Sequence, residues 1–384
     1  MAIETQRPAQ APEGLDELAT IYPYKDWQRR EGLPVVTGYY VEDLGALDVT
    51  DWPSREARGT FVNLEGTGGV NDLQLLEISA GGATAPVQHM FEALVYVVAG
   101  RGSSRVGYSE AQTQTFEWGP GSLFAIPLNA TYRFFNASGS RPARLAMVTN
   151  APTIMNLFHS DEFMFNNPFI FQDRFAGEEG YFGGDGKLWR RARNKVWDTN
   201  FVSDVRKLQL YSWKERGAGG FNVMIELARS TMSAHISQFP VGTYKKAHRH
   251  GPGAHVVILD GVGFSTLWRE GEQPIRCNWK PNSVVVPPDQ WFHQHFNTGA
   301  DPARYLALKF AGRRYQPNAQ YGGDRADVSI KQGGNQLEYE DEDQRVHDAF
   351  EAELRANGAE CRMKGLIAWC TGQEGPPDLS PHEG

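Results

Sequence analysis

The sequence predicts an all-β chain in which one antiparallel double-sheet barrel is followed by a second copy of the same barrel. With 41 Gly, 22 Pro and 12% aromatic residues, the composition favours many short strands separated by turns over long helices. At 384 residues the chain is long enough for two domains, each with its own core. The strongest observation is an internal repeat, because residues of the first half recur 161 positions later: Gly81 as Gly242, His89 as His250, Gly100 as Gly261, Gly102 as Gly263, Trp118 as Trp279, Pro127 as Pro288 and Asn136 as Asn297.

This repeat divides the chain into five segments. Residues 1–72 are predicted to form an N-terminal arm and irregular segment, with 1–15 disordered and the aromatic stretch 21–27 packed as an extended arm. The first barrel covers 73–150 and the second 205–311. The aromatic-rich connection between them, 151–204, is too long for a free linker and is expected to lie across both barrels. The C-terminal extension, 312–384, is predicted to contain an amphipathic helix over 342–357, capped by Asp341.

Three histidines of the second barrel form the candidate metal site. His248 and His250 stand two residues apart between apolar stretches, so both side chains are predicted to lie on one face of a strand. His293 follows the apolar run 283–288 and brings a third imidazole from another strand. Three neutral imidazoles that converge inside a small barrel suit a divalent transition metal with open coordination positions.

The first barrel lacks this set of histidines. Val87 stands where the second barrel has His248, and Tyr132 stands where it has His293, which leaves only His89. A valine cannot ligate a metal ion. The metal site of the first barrel is therefore predicted to be degenerate.

The spacing around these histidines resembles the two motifs of the cupin superfamily. The chain contains Gly242-x5-His248-x-His250 with Gly261 eleven residues later, followed by Pro288-x4-His293-x3-Asn297. The resemblance implies that the chain is a bicupin, with two tandem barrels of the jelly-roll type.

Four further residues near the motifs have expected roles. Ala254 occupies the position of the glutamate that the commonest cupin pattern carries, and His255 follows it. His255 is a possible fourth ligand only if a bulge turns it inward, since strict alternation points it out of the barrel. His295 shares a face with His293 and is the candidate catalytic residue, because a neutral imidazole can accept the proton of an enol or phenol. Gln290 and Trp291 are the candidate substrate-binding residues.

Ala247-His-Arg-His250 and the Trp291-x-His-x-His segment near Asn297 make the chain similar to the bicupin gentisate and salicylate 1,2-dioxygenases. The resemblance implies that His248, His250 and His293 hold Fe(II), that the substrate chelates through carboxylate and hydroxyl oxygens, and that O2 cleaves the ring. There are two departures. The best-known members carry the metal in the N-terminal barrel, and Phe292 is inserted here between the tryptophan and the histidine.

These observations leave three functions open. The first is an Fe(II)-dependent dioxygenase that acts on a small hydroxylated aromatic or enolisable carboxylate, with Mn, Ni or Zn as alternatives to iron. Three neutral ligands leave the charge of a divalent metal uncompensated, which favours an anionic, chelating substrate. The second is a non-oxidative metal-dependent cupin, namely an isomerase, lyase or decarboxylase. The third is a non-catalytic bicupin that binds a small molecule.

Charge and cysteine content bound the partners and the compartment. A formal net charge of −8 argues against nucleic acid as a partner, because phosphate binding needs a basic face. Cys277, Cys361 and Cys370 are few and lack metal-ligand spacing, so a reduced cytoplasm is expected. No basic segment precedes an apolar run at the N-terminus, and no segment reaches 18 apolar residues, so neither a signal peptide nor a membrane span is expected. The aromatic arms suit a homo-oligomer, with a homodimer as the simplest form.

Overall fold

The computed structural model describes residues 18–191, 194–317 and 325–375, and the stretch 1–15 predicted to be disordered lies outside them. The first part of the chain contains α1 Pro23–Glu31, β1 Val35–Val36, β2 Tyr40–Val41, β3 Thr50–Trp52, β4 Ala57–Val62, β5 Asp72–Ile78, β6 Ala93–Ala99, β7 Gly102–Gly107, β8 Gln114–Trp118, β9 Leu123–Ile126, β10 Thr131–Asn136 and β11 Ala143–Thr149. The connection contains α2 Ala151–Phe158, α3 Asp161–Phe165, β12 Gly186–Arg191, β13 Asn194–Thr199 and β14 Phe201–Val202. The remainder contains β15 Tyr211–Ser212, β16 Phe221–Leu227, β17 Ser233–Phe239, β18 His255–Asp260, β19 Gly263–Trp268, β20 Ile275–Trp279, β21 Val284–Val285, β22 Phe292–Asn297, β23 Ala303–Lys309 and α4 Gln344–Ala356.

Each barrel consists of a large sheet and a small sheet. In the first barrel the large sheet has the order β1-β4-β5-β11-β6-β9-β14, with β3 paired to β4, and the small sheet is β10-β7-β8. In the second barrel the orders are β12-β13-β16-β17-β23-β18-β21-β2, with β15 paired to β16, and β20-β19-β22. Strands β1 to β11 therefore recur as β13 to β23, with the same neighbours apart from one exchange and from β12, which pairs with β13 and has no counterpart beside β1. The predicted all-β fold, with two tandem double-sheet barrels and a C-terminal helix, is confirmed.

One short strand of each repeat crosses to the other barrel. β2 pairs antiparallel with β21 of the second barrel, where Val41 lies opposite Val284. β14 pairs antiparallel with β9 of the first barrel, where Val202 lies opposite Leu123. The two pairings are equivalent under the 161-residue offset, because Val202 corresponds to Val41 and Val284 corresponds to Leu123. The exchange is thus reciprocal, and it covers a sheet edge that would otherwise be open in each barrel.

The large sheets are buried on both faces. Inside the first barrel, residues such as Phe124 of the large sheet and Phe134 of the small sheet share one core. On the opposite face, Leu75 and Val148 belong to the same buried cluster as Ile225 and Leu306 of the second barrel. The two large sheets therefore pack against each other, which explains why a strand such as β6 is an almost continuous apolar run.

The N-terminal arm differs from its prediction. The stretch 21–27, predicted to be extended, lies mostly in helix α1, with proline in its first turn and Gly32 in the left-handed conformation at its end. Tyr24 and Trp27 of this helix are buried in the core of the first barrel. In addition, β4 lies within the predicted arm but pairs with β5 as part of the large sheet.

The C-terminal helix begins later than predicted. The prediction placed it over 342–357 with Asp341 as its cap, whereas α4 spans Gln344–Ala356. Asp343 is the N-cap, and its side chain accepts a hydrogen bond from the backbone N–H of Arg345. Asp341 instead ends a preceding 3₁₀ turn, which delays the start of the helix.

Helix α4 packs on the outside of the small sheet of the second barrel. Phe350 and Leu354 share a buried cluster with Phe264 and Phe296 of that sheet. Within the part of the chain that the structure describes, none of the helices has the length and apolar character needed to cross a membrane.

Candidate metal centre

The backbone brings His248 and His293 directly opposite each other. The segment that precedes His250 runs antiparallel to β22, and His248 forms a bridge with His293. The N–H of His248 donates to the carbonyl of His293 at 3.1 Å, and the reverse hydrogen bond is 2.9 Å long. The N–H of Gln290 donates to the carbonyl of His250 at 3.0 Å, which fixes the third histidine beside the pair.

The three imidazoles form one cluster. One ring nitrogen from each of His248, His250 and His293 lies within 4.8 Å of the other two. The ring centroids are 4.1 Å apart for His248 and His293 and 4.7 Å apart for His250 and His293. The sequence-predicted ligand set is therefore brought together in space, at the mouth of the second barrel's core.

The hydrogen bonds of these rings fit a metal ion. The Nδ1 atoms of His248, His250 and His293 lie 3.1, 2.8 and 3.3 Å from the backbone carbonyls of Lys246, Gly251 and Trp291. A carbonyl only accepts, so each Nδ1 carries the proton and each Nε2 presents a lone pair. Within the described residues no hydrogen bond engages these Nε2 atoms. This donor set, neutral and oriented by the backbone, suits a transition metal.

Burial keeps the three rings neutral. It is the largest cause that lowers the pKa of His248 and of His293 well below the ordinary value, and it lowers the pKa of His250 to about 4. Each imidazole is thus available as a ligand without first losing a proton at neutral pH.

His255 is not brought into this cluster. Ala254 and Val256 line the cavity beside the histidines. His255 lies between them on β18 and is fully buried, and neither of its ring nitrogens has a hydrogen-bond partner among the described residues. Strand alternation therefore points His255 away from the other three, and no bulge reverses it at this position.

The histidines open into a cavity of about 330 Å³ that contains several cationic side chains. Arg216 forms an ion pair with Asp327 at 2.6 Å. The side-chain ammonium of Lys309, on β23, forms no hydrogen bond or ion pair within the residues that the structure describes, and burial, with Arg313 as the next cause, lowers its pKa to about 7. Behind the wall, the fully buried Lys245 donates to the hydroxyl oxygens of Ser237 at 2.9 Å and Tyr305 at 3.1 Å. The cavity is therefore electropositive.

His295 lines this cavity as predicted for a residue on the same face as His293. Its Nδ1 lies 2.7 Å from the hydroxyl oxygen of Ser265, which accepts a hydrogen bond from Trp279 Nε1 at 3.0 Å. Because that oxygen already accepts from the indole, its own proton is available to Nδ1. This arrangement favours the tautomer of His295 that keeps its proton on Nε2. Burial lowers the pKa of His295 to about 3.

Gln290 and Trp291, the candidate substrate-binding residues, do not line the cavity. Gln290 is exposed at a turn, where its backbone φ is 57°. Trp291 is half-buried on the outside, with its ring 5.7 Å from that of Tyr39 and beneath Arg269. Both residues precede the start of β22, so the alternation that turns His293 inward does not extend to them.

Arg216 and Lys309 were missed in the sequence, although each carries a signal there. Arg216 follows Trp213 by three residues, as Arg55 follows Trp52, and both pairs obey the 161-residue offset. Lys309 ends an apolar strand on the same face as Tyr305 and Ala307, which also line the cavity. Lysine is rarely buried, so a lysine at an inward-facing position of a strand is the sequence signal for Lys309.

No protein-family model matches the chain, and no curated protein matches it. Solved structures of similar fold include a variant of oxalate decarboxylase from Bacillus subtilis, with a TM-score of 0.47 and 12% identity over 71% of this chain and 77% of that chain. They also include the 7S globulin of Momordica charantia, with a TM-score of 0.46 and 12% identity over 72% of this chain and 85% of that chain. Likeness at this level carries no argument about activity.

Proposed function

We propose that the chain is an Fe(II)-dependent dioxygenase that cleaves a C–C bond of a small hydroxylated aromatic or enolisable carboxylate with O2. One observation carries the proposal: three neutral imidazoles, with their Nε2 atoms unengaged, open into the same cavity as Arg216 and Lys309. A neutral ligand set with open positions and a cationic wall together suit a chelating anion.

Size and charge set the substrate class. A cavity of about 330 Å³ is at the lower end of small-molecule sites. The Arg216 charge is already paired with Asp327, whereas Lys309 has no anionic partner within hydrogen-bonding distance in the described chain. Lys309 is therefore the group assigned to a substrate carboxylate, by a charge-assisted hydrogen bond.

The chain's own residues divide the remaining tasks. His248, His250 and His293 would hold the ion, which when bound supplies Lewis-acid chemistry and a position for O2. His295, with its proton on Nε2, donates a hydrogen bond to a substrate oxygen, and Ser265 keeps that ring in place. This role replaces the proton acceptor expected from the sequence. Manganese, nickel or zinc could occupy the same nitrogen ligands, so the metal is part of the test.

The test is O2 consumption by anaerobically purified protein whose metal content has been measured. Hydroxylated aromatic acids and enolisable carboxylates are screened for O2 uptake, and isotopically labelled O2 is followed into the product. We expect incorporation of labelled oxygen, and its loss in His248→Ala. His255→Asn, a change at a buried histidine outside the cluster, is the matched control and should retain turnover. Substrate turnover without O2 uptake would overturn the proposal in favour of a non-oxidative cupin.

A further inference from the structure

A second group of potential ligands lies outside the barrel, in the C-terminal extension. His347 and Glu351 stand one turn apart on α4, so their side chains share a face of the helix. The chain then folds back and places Cys361 and Cys370 against that face. These four residues form the C-terminal cluster, in which one ligand atom from each lies within 4.8 Å of the others.

Four of the six ligand-to-ligand distances within the C-terminal cluster are close to those of a tetrahedral zinc site. The two Sγ atoms are 3.5 Å apart, and Cys361 Sγ lies 3.9 Å from His347 Nε2. Glu351 Oε1 lies 3.7 Å from Cys370 Sγ and 3.2 Å from His347 Nε2. Zinc bonds of about 2.3 Å to sulfur and about 2.0–2.2 Å to nitrogen and oxygen separate tetrahedral ligand atoms by about 3.3–3.8 Å. The four distances lie within about 0.1 Å of that range and the other two do not exceed 4.8 Å, so the four ligand atoms can surround one ion.

The hydrogen bonds around His347 orient it as a ligand. Tyr244 donates its hydroxyl proton to Glu342 at 2.5 Å, so the same oxygen can only accept from His347 Nδ1, which is 3.3 Å away. The proton of His347 is then on Nδ1, and Nε2 presents a lone pair to the carboxylate of Glu351. Two acceptors facing each other at 3.2 Å repel unless a metal ion lies between them or the imidazole takes up a second proton.

The burial and the charge of the C-terminal cluster also suit a bound metal ion. His347 is 1% exposed and both cysteines are 7% exposed, within an apolar cluster that includes Tyr244, Phe350 and Met363. Two thiolates and a carboxylate exceed the charge of a divalent ion by one, and Arg355 lies 3.3 Å from the other carboxylate oxygen of Glu351. A thiol in this setting loses its proton to solvent when it binds a metal.

We propose that His347, Glu351, Cys361 and Cys370 form a closed structural zinc site that fixes the C-terminal extension to the second barrel. Four protein ligands of mixed nitrogen, oxygen and sulfur type leave no open position, which is the pattern of structural zinc. A disulfide is the competing use of the two cysteines, but their sulfurs lie 3.5 Å apart, beyond the roughly 2.05 Å of an S–S bond.

The site lies one hydrogen-bonded chain from the candidate metal centre. Glu342 accepts from Tyr244 and also from Gln294 Nε2 at 2.6 Å. Gln294 lies on β22 between His293 and His295. The zinc site would therefore fix α4 against the outer face of β22. That strand carries His293 of the candidate metal centre and His295, the candidate catalytic residue.

The test uses Co(II) as the probe on the full chain after both kinds of site have been stripped with a chelator. Thiolate bound to Co(II) gives a charge-transfer absorption in the near ultraviolet that the all-nitrogen cluster of the barrel cannot give. We expect this band in the wild-type protein and in His248→Ala, and its loss in Cys361→Ser. Cys277→Ala is the matched control, because Cys277 is buried in the core of the second barrel and should leave the band unchanged.

Several results would overturn the zinc site. One is the absence of the band in wild-type protein, which needs no variant and so does not depend on whether a variant folds. Another is a band that survives both Cys361→Ser and Glu351→Gln. A third is one reactive thiol per denatured chain instead of three, which would show a disulfide between Cys361 and Cys370. Because His248→Ala removes only the barrel site, failure of the zinc site and failure of the proposed activity are distinguishable.

Discussion

The two barrels share a backbone but not a site. In the second barrel His248 bridges to His293, and in the first barrel Val87 bridges to Tyr132 at the equivalent positions. Both barrels also keep a tryptophan whose indole donates to a serine, Trp118 to Ser104 at 2.9 Å and Trp279 to Ser265 at 3.0 Å. The backbone that can hold a three-histidine cluster is therefore present twice.

What differs is how the remaining histidine is used. In the first barrel His89 Nε2 lies 3.1 Å from the hydroxyl of Tyr132, and that hydroxyl accepts from Arg55 at 2.8 Å. Phe91 stacks on the same imidazole at 3.8 Å. The nitrogen that would face a metal is thus engaged. Among the described residues, the nearby Arg55 guanidinium forms no ion pair like the one between Arg216 and Asp327. At these positions the two barrels therefore differ in their side chains and not in their backbone pairing.

The largest expected effect comes from giving the second barrel the side chains of the first. His248→Val with His293→Tyr should abolish the barrel metal and O2 uptake, because two of three ligands are lost. The loss in metal affinity should exceed the roughly 10- to 100-fold that follows removal of an outer hydrogen-bond partner. Metal content and activity check this, while the thermal unfolding curve should still show a folded protein. Retained iron at one equivalent per chain would contradict the ligand assignment.

The next effect concerns Lys309, for which the first barrel has Thr149 in the matching strand. Lys309→Met should weaken binding of an anionic substrate or competitor by about 10- to 100-fold, the value of one charge-assisted hydrogen bond. With a pKa of about 7, Lys309 is charged below that pH, so anion affinity should fall as pH rises through about 7. Calorimetric titration across this range should give a flatter profile for the variant. An unchanged profile would show that another group binds the anion.

The same substitution has a predicted effect on stability. Because the pKa of Lys309 is lower in the folded state than in the unfolded chain, the unfolded state binds more protons between about pH 7 and the ordinary lysine pKa. Stability should therefore rise with pH over that window in the wild-type protein, and the rise should be smaller in Lys309→Met. Chemical unfolding at two pH values measures it, and an equal rise in both proteins would contradict the assigned pKa.

A smaller and symmetrical effect is expected at the exchanged strands. Val41→Ala and Val202→Ala each remove two buried methyl groups at equivalent positions. Each should lower the free energy of unfolding by about 2 kcal/mol, and the two losses should be similar. Denaturant unfolding of both variants makes the comparison. A large difference between them would show that the two exchanges do not stabilise the fold equally.

The smallest expected effect is a difference in activity between variants of the two serines that accept from an indole, Ser265 and Ser104. Ser265→Ala and Ser104→Ala each remove the hydrogen bond from the indole, which costs about 1 kcal/mol of stability in either barrel, and Ser265→Ala also removes the hydrogen bond to His295. Only Ser265 also contacts His295, so only its loss should reduce kcat, with little change in KM. Steady-state kinetics decides this. A similar decrease in both variants would indicate a general effect on folding instead of the positioning of His295.

The histidine cluster could be predicted because its residues stand in short motifs whose spacing fixes their faces. Lys309, Arg216 and Asp327 meet it through strand pairing and loops distant in sequence, so spacing alone could not place them. The C-terminal cluster shows the limit most clearly. Cys361 and Cys370 are nine residues apart, without a metal motif, and only the fold of the segment after α4 brings them to His347.

The helical part of the N-terminal arm was missed for a related reason. Proline and three aromatic residues within 21–27 suggest an extended segment, yet Pro23 stands where a helix tolerates it. The gain from burying Tyr24 and Trp27 in the first barrel then decides the conformation. Such tertiary packing overrides local preference.

The exchange of β2 and β14 has a consequence for how this chain could have arisen and how it can be divided. In a single copy of the repeat, the strand equivalent to β2 and β14 would have no pairing partner, and the sheet edge equivalent to β9 and β21 would be uncovered. Pairing with a second copy would supply both contacts. The present chain thus contains within itself the interface of a swapped dimer. If the chain is divided within the connection between α3 and β12, each of the two polypeptides is accordingly expected to be incomplete alone, and the two are expected to associate one to one when mixed.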